Sequence, residues 1–477
     1  EAGSGLGGIW RFQNDNGMST CYRSLHINTS KRMMELSDFK FRPEIAEYPT
    51  HTEILSEFER YADQFQVKPH IQFQTRVTHC ERQDGGGWQI SLEGPGGART
   101  EHYDFLIVAN GHHWSPRLAT YPGHFDGLHF HSHHYVDTTT PHDLRGKRVV
   151  VLATGDPLWF SVGARIGREI DPSEITYHPQ LSAFQLASAR MGWSMADVET
   201  LTVHGRPVEQ MIAFIQPDQR LLILTTGVQT PGQIAKFLTE RGFGSSKMTV
   251  LAAMGGEREQ RFDGLAEDWS HEVPPFNTLA VDCVAAPDAA LLPRVPGLPD
   301  ELFEHDGTMT KREVRAVTIA KLMPMRGALL WDIGTGCGSV AIEWMRAARY
   351  ARAIGIEPRA DRRAMAAANA LALGAPKLEL IDGTVPEALD GLAAPDAIFI
   401  GGGLSRATFE AAWTALRPLG RLVANAVTLE SEAELIALHK LYGGDLVKLS
   451  IHRAEPVGRM TGWRPSMPVT QWSLVKR

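Results

Sequence analysis

The residues with the clearest capacity for chemistry are Asp332, Gly334, Thr335, Gly336, Cys337 and Gly338, in the run Asp332-Ile333-Gly334-Thr335-Gly336-Cys337-Gly338. Glycines at alternate positions let a backbone turn sharply and approach a ligand closely. The acid ahead of them bears on which ligand. A dinucleotide turn, G-x-G-x-x-G, seats a pyrophosphate on a helix N-terminus, and a carboxylate there would repel it. The same carboxylate attracts an ammonium group. About twenty residues on, the apolar run Ala351 to Ile356 ends in Glu357, an acid placed to take both hydroxyls of a ribose. A glycine turn that merely closes a βα unit would need neither acid.

These residues require particular elements around them. Ala328-Leu329-Leu330-Trp331 reads as a buried strand, and Ser339 to Arg346 has helical spacing. The glycines therefore lie at the carboxyl end of a parallel strand, where α/β sheets bind ligands. Further strands are expected near 352, 378, 396, 421, 446 and 469, with helices between the earlier ones. Upstream, Asp306-Gly307-x-Met309-Thr310-Lys311-Arg312-Glu313-x-Arg315 opens a helix, with Thr310 as cap and Glu313 closing a capping box.

Asp332 to Gly338 followed by Glu357 resembles motif I of the class I S-adenosylmethionine (SAM) methyltransferases. The D-G-x-M-T-K-x-E-x-R segment ahead of it resembles the decarboxylating C-15 methylase of cobalamin synthesis. The resemblance implies a Rossmann-like α/β domain with SAM held by Thr310, Asp332, Gly334 to Gly338, Glu357 and the turn Asp382-Gly383-Thr384-Val385. The family often has an acid where Thr384 stands. Gly401-Gly402-Gly403 would leave the transfer channel open to a large flat substrate. The implied substrate is a tetrapyrrole with several carboxylates. Lys311, Arg315 and Arg459 are the expected substrate contacts, and Arg312, Arg453 and Arg464 are further candidates; a solvated basic face is the other reading. No side chain is assigned as a catalytic acid or base. Methyl transfer from a sulfonium needs placement, and the macrocycle's conjugated nitrogens take up the electrons released with CO2.

The whole chain sets bounds. Its 477 residues suggest two to four domains. With 43% hydrophobic and 22% charged residues the composition is globular and soluble. No apolar run reaches a membrane span, and no signal peptide is visible, residue 1 being Glu. A net charge of -7 argues against general nucleic-acid affinity. Cys21, Cys80, Cys283 and Cys337 have neither metal nor disulfide spacing, so a reducing cytoplasm is expected. A homo-oligomer is also expected.

The first 145 residues carry another signature. Glu1 to Trp10 reads E-A-G-S-G-L-G-G-I-W, an amphipathic helix is expected from Thr52 to Phe65, and strands at His70 to Glu81, Trp88 to Leu92 and Phe105 to Ala109. With Phe125-x-Gly127-x-x-x-His131-x-x-x-Tyr135, this segment resembles the flavin-containing monooxygenases. The resemblance implies a partial FAD/NADP-binding α/β domain, with Glu1 and Trp10 on FAD and Asn28 and Thr29 near the flavin. The first phosphate-binding turn is lacking. The strand expected at Arg148 to Leu152 runs into Ala153-Thr154-Gly155-Asp156-Pro157, where an aspartate would oppose the phosphate of NADPH. FAD and NADPH therefore enter only by resemblance. His129, His131, His133 and His134, with His112 and His113 before them, are read as a solvated surface rather than a metal patch.

Between 146 and 285 the pieces Gly155-Asp156-Pro157, Tyr177-His178-Pro179, a helix at Ser182 to Trp193, His204-Gly205-Arg206, a strand at Leu221 to Gly227 and Gly255 to Glu259 follow in an order that resembles the tetrapyrrole methylases, C-5 methylase type. This implies a second cofactor turn at Gly155 and Asp156. The opening strand and glycine turn are lacking, so this part is expected to be inactive and poorly folded. A proline-rich linker, 286–300, leads to the SAM domain, 301–477. The expected function is SAM-dependent methylation and decarboxylation of precorrin-6Y. The alternatives are a flavin- and NADPH-dependent monooxygenase, a methyltransferase carrying a non-catalytic module, or a join of two genes near Leu144 to Leu152.

Overall fold

The computed structural model describes residues 1–27, 30–111, 113–118 and 122–477, so Asn28, Thr29 and His112 lie outside the described residues. Two compact units form, Glu1–Leu152 and Ala153–Arg477.

The first unit holds α1 (Lys31–Met34), α2 (His51–Gln64) and an antiparallel sheet of β1 (Arg76–Arg82), β2 (Trp88–Gly94) and β3 (Gly97–Tyr103). Thr50 and Glu53 cap α2 reciprocally, which fixes its start. The apolar stripe of α2 lays Ile54, Phe58 and Tyr61 on Ile27, Phe39, Phe41 and Ile45. Two expected strands are absent. Phe105 to Ala109 is extended but unpaired, with Phe105 and Ile107 each 88% exposed, and Arg148 to Leu152 is likewise exposed. A continuous apolar run becomes a buried strand only between neighbours, and among the described residues no strand pairs with either run.

The second unit begins with α3 (Val162–Ile166), α4 (Ala183–Met191), β4 (Val198–Thr202), β5 (Arg220–Leu224), α5 (Thr230–Glu240), β6 (Lys247–Ala252), β7 (Gln260–Leu265) and β8 (Asn277–Asp282). The strands make one mixed sheet, ordered β4-β5-β8-β6-β7. Its core of Met211, Leu221, Ile223, Leu238, Phe243, Val250 and Leu279 is closed. For residues 183–282 the expectation of a poorly folded segment is thus corrected. Only β4 and β5 run parallel, and β8 and β6 complete the pairing by antiparallel contacts, so no strand from residues before 180 is needed.

The chain continues through α6 (Arg312–Leu322), β9 (Leu329–Ile333), α7 (Ser339–Ala347), β10 (Arg352–Ile356), α8 (Ala360–Ala372), β11 (Glu379–Ile381), β12 (Ala397–Ile400), α9 (Arg406–Ala415), β13 (Arg421–Ala426), α10 (Leu429–Tyr442), β14 (Asp445–Leu449), the hairpin β15 (His452–Val457) and β16 (Met460–Pro465), and β17 (Val469–Val475). All seven expected strands join one sheet, ordered β11-β10-β9-β12-β13-β17-β14. The strands from β11 to β13 run parallel, and β17 is antiparallel to both neighbours. β9 is buried at every residue, as a central parallel strand must be. Each Leu or Ile so buried stabilises the sheet by about 1.5–3 kcal/mol.

Two details differ from expectation. Helix α6 starts at Arg312 with Lys311 as N-cap and no side-chain cap, so Thr310 makes no capping box. The Thr310 carbonyl instead accepts Arg315 Nη1 at 2.7 Å. The stretch 286–300 has no strand or α-helix, but it is not a free linker. Leu292 and Leu298 are buried with Ile212, Ile342, Ala370 and Leu373. Arg346 donates to the carbonyls of Leu292, at 2.7 Å, and Leu373, while Glu343 accepts the N–H groups of Gly297 and Leu298 at 2.7 and 2.9 Å.

Candidate active site

A cavity of about 830 Å³ opens at the carboxyl ends of β9, β10, β12 and β13. The turn after β9 forms one wall. Gly334 (φ +72°) brings the backbone against the next turn, where an added Cβ would lie 2.8 Å from the Cα and N of Gly402. Gly336 is also left-handed, at φ +55°. Gly338 caps α7 and faces Ala366, whose Cβ an added side chain would meet at 3.1 Å; it does not line the cavity. Cys337 lines it, but burial pushes its thiol pKa up, and its carbonyl accepts from Asn369 at 2.9 Å. It is a small packing residue, not a nucleophile.

Asp332 is the most constrained group. It is 1% exposed, and its Oδ2 accepts from Thr335 Oγ1 at 2.8 Å and from Ala341 N at 3.0 Å. Its Oδ1 is buried with no hydrogen-bond partner. Burial, with Glu357 nearby, pushes its pKa up to about 6. An unpaired buried carboxylate oxygen on a cavity wall is costly until a donor reaches it. An ammonium group fits that demand, and a phosphate does not.

Glu357, 3% exposed, directly follows β10 and lines the same cavity. Its Oε2 accepts Gly336 N and its Oε1 accepts Arg359 N, both at 3.1 Å. It thus holds the glycine turn besides presenting an acid. Gly383, Thr384 and Val385 also line it, and Thr308 to Lys311 line it just ahead of α6. Lys311 has no carboxylate within ion-pair distance among the described residues.

Other expected site residues lie elsewhere. Arg315 is fully buried, bonded to Glu343 (2.7 Å), Asp300 (3.0 Å), the Thr310 carbonyl and the Leu298 carbonyl, and stacked on Phe303. It organises the cavity wall and is not available to a substrate. Arg459 sits exposed on the turn of the β15–β16 hairpin and does not line the cavity. Arg453 does, paired with Glu313 at 2.7 Å. Gly155 and Asp156 lie in a turn outside it, where Asp156 Oδ1 accepts Leu158 N (2.8 Å) and Trp159 N (3.1 Å). The sequence reading missed Asn425, Ser466 and Met467 as lining residues, along with Arg359 and Arg362. The two arginines follow Glu357 closely, and that proximity was their signal.

The relatives of this chain decide its family. A precorrin methyltransferase domain matches residues 301–476, and a tetrapyrrole (corrin/porphyrin) methylase domain matches 131–269. A precorrin-6Y C(5,15)-methyltransferase [decarboxylating] of Sinorhizobium sp is 47% identical over 334 residues, covering 70% of this chain and 81% of that protein. The chain belongs to the precorrin-6Y C(5,15)-methyltransferase (decarboxylating) family. It is thereby an enzyme of the SAM-dependent methyltransferase class. The Mycobacterium tuberculosis (strain CDC 1551 / Oshkosh) member is 38% identical over 336 residues, 70% of this chain and 84% of its own length. The crystal structure of the C-terminal domain of the Rhodobacter capsulatus member is 50% identical, with a TM-score of 0.37, covering 38% of this chain and 99% of that domain. A flavin-binding monooxygenase-like domain matches residues 1–171, reaching past the expected limit of 145. Flavin-containing monooxygenase 5 of Mus musculus is 31% identical over 223 residues, of which this chain covers 38%. The chain therefore spans well under half of that monooxygenase. No helix among the described residues is long and apolar enough to cross a membrane, and no group of His, Cys, Asp and Glu among them is arranged to hold a metal.

Proposed function

We propose that the chain methylates precorrin-6Y at C-15 and removes the carboxyl of the ring-C acetate, in cobalamin synthesis. The observation that carries this reading is Asp332 Oδ1, buried and unpartnered on the wall of the family's methyltransferase domain. Asp332 takes the ammonium of the methionine moiety, Glu357 the ribose hydroxyls, and Gly334 and Gly336 let the backbone approach. Thr310, Thr335, Gly383, Thr384 and Val385 complete that half of the cavity. SAM, when bound, supplies an activated methyl group on sulfonium. The protein's work is to hold acceptor carbon and methyl in line and to exclude water. Lys311 and Arg453, at the α6 and hairpin sides, meet the substrate's peripheral carboxylates.

The domain organisation proposed is 1–145, 146–285, 286–300 and 301–477, as read from the sequence. A cytoplasmic homo-oligomer that does not bind nucleic acid completes the proposal. The C-5 transfer is expected to be absent, because Gly155 and Asp156 have no strand before them to build a second cofactor turn. Full-length protein given precorrin-6Y and SAM should yield a product with one added methyl and CO2 lost, by mass spectrometry. Two added methyls would show that residues 146–285 still act, and an unchanged mass would refute the assignment.

A further inference from the structure

The methyltransferase cavity has a second half whose chemistry is set by one amide. Asn425 lines it near the end of β13. Strand register fixes its place: Ile333, Ile400, Ala424 and Trp472 stand side by side across β9, β12, β13 and β17. Asn425 is one residue further on, level with Gly334 and Gly401. It lies two strand spacings, about 10 Å, from the turn proposed to hold the methionine moiety. That separation leaves room over β12 for an acceptor carbon.

The orientation of this amide is determined. The Thr318 hydroxyl donates its one proton to the Val314 carbonyl at 2.8 Å, so toward other groups it can only accept. It accepts from Gln471 Nε2 at 3.0 Å and from Asn425 Nδ2 at 3.2 Å. Gln471 Nε2 gives its other proton to Asn425 Oδ1 at 2.9 Å. Thr318 and Gln471 are both fully buried, and Gln471 Oε1 has no partner. An unpaired buried carbonyl weakens the fold, so stability does not explain this network. What it achieves is to leave one Nδ2–H of Asn425 uncommitted, on an amide that cannot flip. The cavity residues that register puts beside it, Gly401, Val427 and Val469, are uncharged; α6, which packs on β13, brings Lys311 and Glu313 to the same cavity, Glu313 being paired with Arg453 at 2.7 Å.

We infer that Asn425 donates this N–H to the labile carboxylate of the substrate, with Thr318 and Gln471 as its positioning residues. The inference rests on the function proposed above. In the step concerned, the bond between the acetate methylene and its carboxyl carbon breaks and CO2 leaves. The electron pair passes into the conjugated macrocycle, and a proton from solvent completes the methyl group that remains. The carboxylate's charge disappears along this path. A cation would bind the starting carboxylate better than the transition state and slow the step, whereas a neutral donor positions it with less of that penalty.

The test uses full-length protein, SAM and precorrin-6Y, with CO2 release and methyl incorporation followed separately and SAM affinity measured by calorimetry. Asn425→Asp, at pH 8, should lower kcat/KM for CO2 release about tenfold or more, the effect of losing one hydrogen bond to a charged group. SAM affinity should stay at the wild-type value. As pH falls, the introduced carboxyl gains a proton and becomes a donor again, so the ratio of Asn425→Asp to wild-type rates should rise. Asn425→Ala should lose a similar factor at every pH, and Thr318→Val a smaller one. The inference is overturned if Asn425→Asp matches wild type, if its ratio does not change with pH, or if SAM affinity falls in step with the rate. Wild-type protein that binds SAM but leaves precorrin-6Y unchanged would instead overturn the proposed function, and this inference with it.

Discussion

Replacing Asp332 by Asn separates the role of this group in folding from its role in binding. The two side chains have the same shape. An Asn with its oxygen toward Thr335 Oγ1 and Ala341 N keeps both hydrogen bonds now made by Oδ2, and its amide nitrogen takes the place of the unpartnered Oδ1. Burial pushes the carboxyl of folded wild-type Asp332 up to about 6, from its ordinary value of 3.8. The folded state therefore binds more protons than the unfolded chain between those values, and stability is lost as pH rises through that window. The pKa difference corresponds to an upper limit of about 3 kcal/mol at neutral pH. Asp332→Asn, which has no charge to bury, should melt at a higher temperature than wild type at pH 7 in the absence of SAM, with the gap narrowing toward pH 4. Binding should move the other way. An ammonium needs the ionised carboxylate, so wild-type SAM affinity should fall about tenfold from pH 7 to pH 5, as the ionised fraction drops from about nine-tenths to about one-tenth. The variant should bind SAM weakly with little slope. Calorimetric titration and thermal melts over pH 5–8 measure both. A variant less stable than wild type without SAM, together with a flat wild-type affinity, would refute the reasoning.

Substitutions at three further positions follow from the same geometry. Glu357→Ala should weaken SAM binding by about 1–3 kcal/mol; wild type, but not the variant, should also discriminate against a 2′-deoxyribose analogue, and unchanged affinity would place the ribose elsewhere. Gly334→Ala adds a Cβ 2.8 Å from the backbone of Gly402 at φ +72°, so the turn must shift and calorimetry should detect no SAM binding at concentrations that saturate wild type. Arg315→Ala leaves Glu343 and Asp300 without their buried partner and should cost about 3–5 kcal/mol in chemical denaturation; Arg315→Lys should recover only part, because an ammonium cannot make all of the guanidinium's contacts.

The centre of the C-terminal sheet was legible because β9, β10 and β12 are largely apolar runs bounded by turn residues, and burial on both faces is what such runs report. The β15–β16 hairpin was not, since its residues are mostly exposed and lack any apolar alternation. Phe105 to Ala109 and Arg148 to Leu152 misled for the converse reason: an apolar run states a preference for burial but not whether neighbours exist to satisfy it. Asp332, Gly334 and Glu357, which line one cavity, were singled out by their types and spacing. Arg315 was misplaced because a cation beside a ligand motif reads the same whether it faces substrate or is locked in a buried ion pair. Asn425 gave no usable signal beyond being a lone amide in Arg421-Leu422-Val423-Ala424-Asn425-Ala426, and its meaning depends on Thr318 and Gln471, which are distant in sequence. The folding of residues 183–282 was underestimated because antiparallel partners for a strand cannot be recognised from the absence of a parallel one.

The packed stretch 286–300 has a consequence for how such chains tolerate recombination. Its carbonyls and N–H groups are claimed by Arg346 and Glu343, and its leucines fill space between Ile212 on one side and Ile342 and Leu373 on the other. A crossover there must preserve three complementary surfaces at once, and most breakpoints would strand a buried arginine or a buried glutamate. The exposed residues of Arg148 to Leu152 impose no such demand. Composition marks the proline-rich stretch as the dispensable spacer and the apolar one as core. For an exchange of neighbouring sequence, the permissive position is the apolar one.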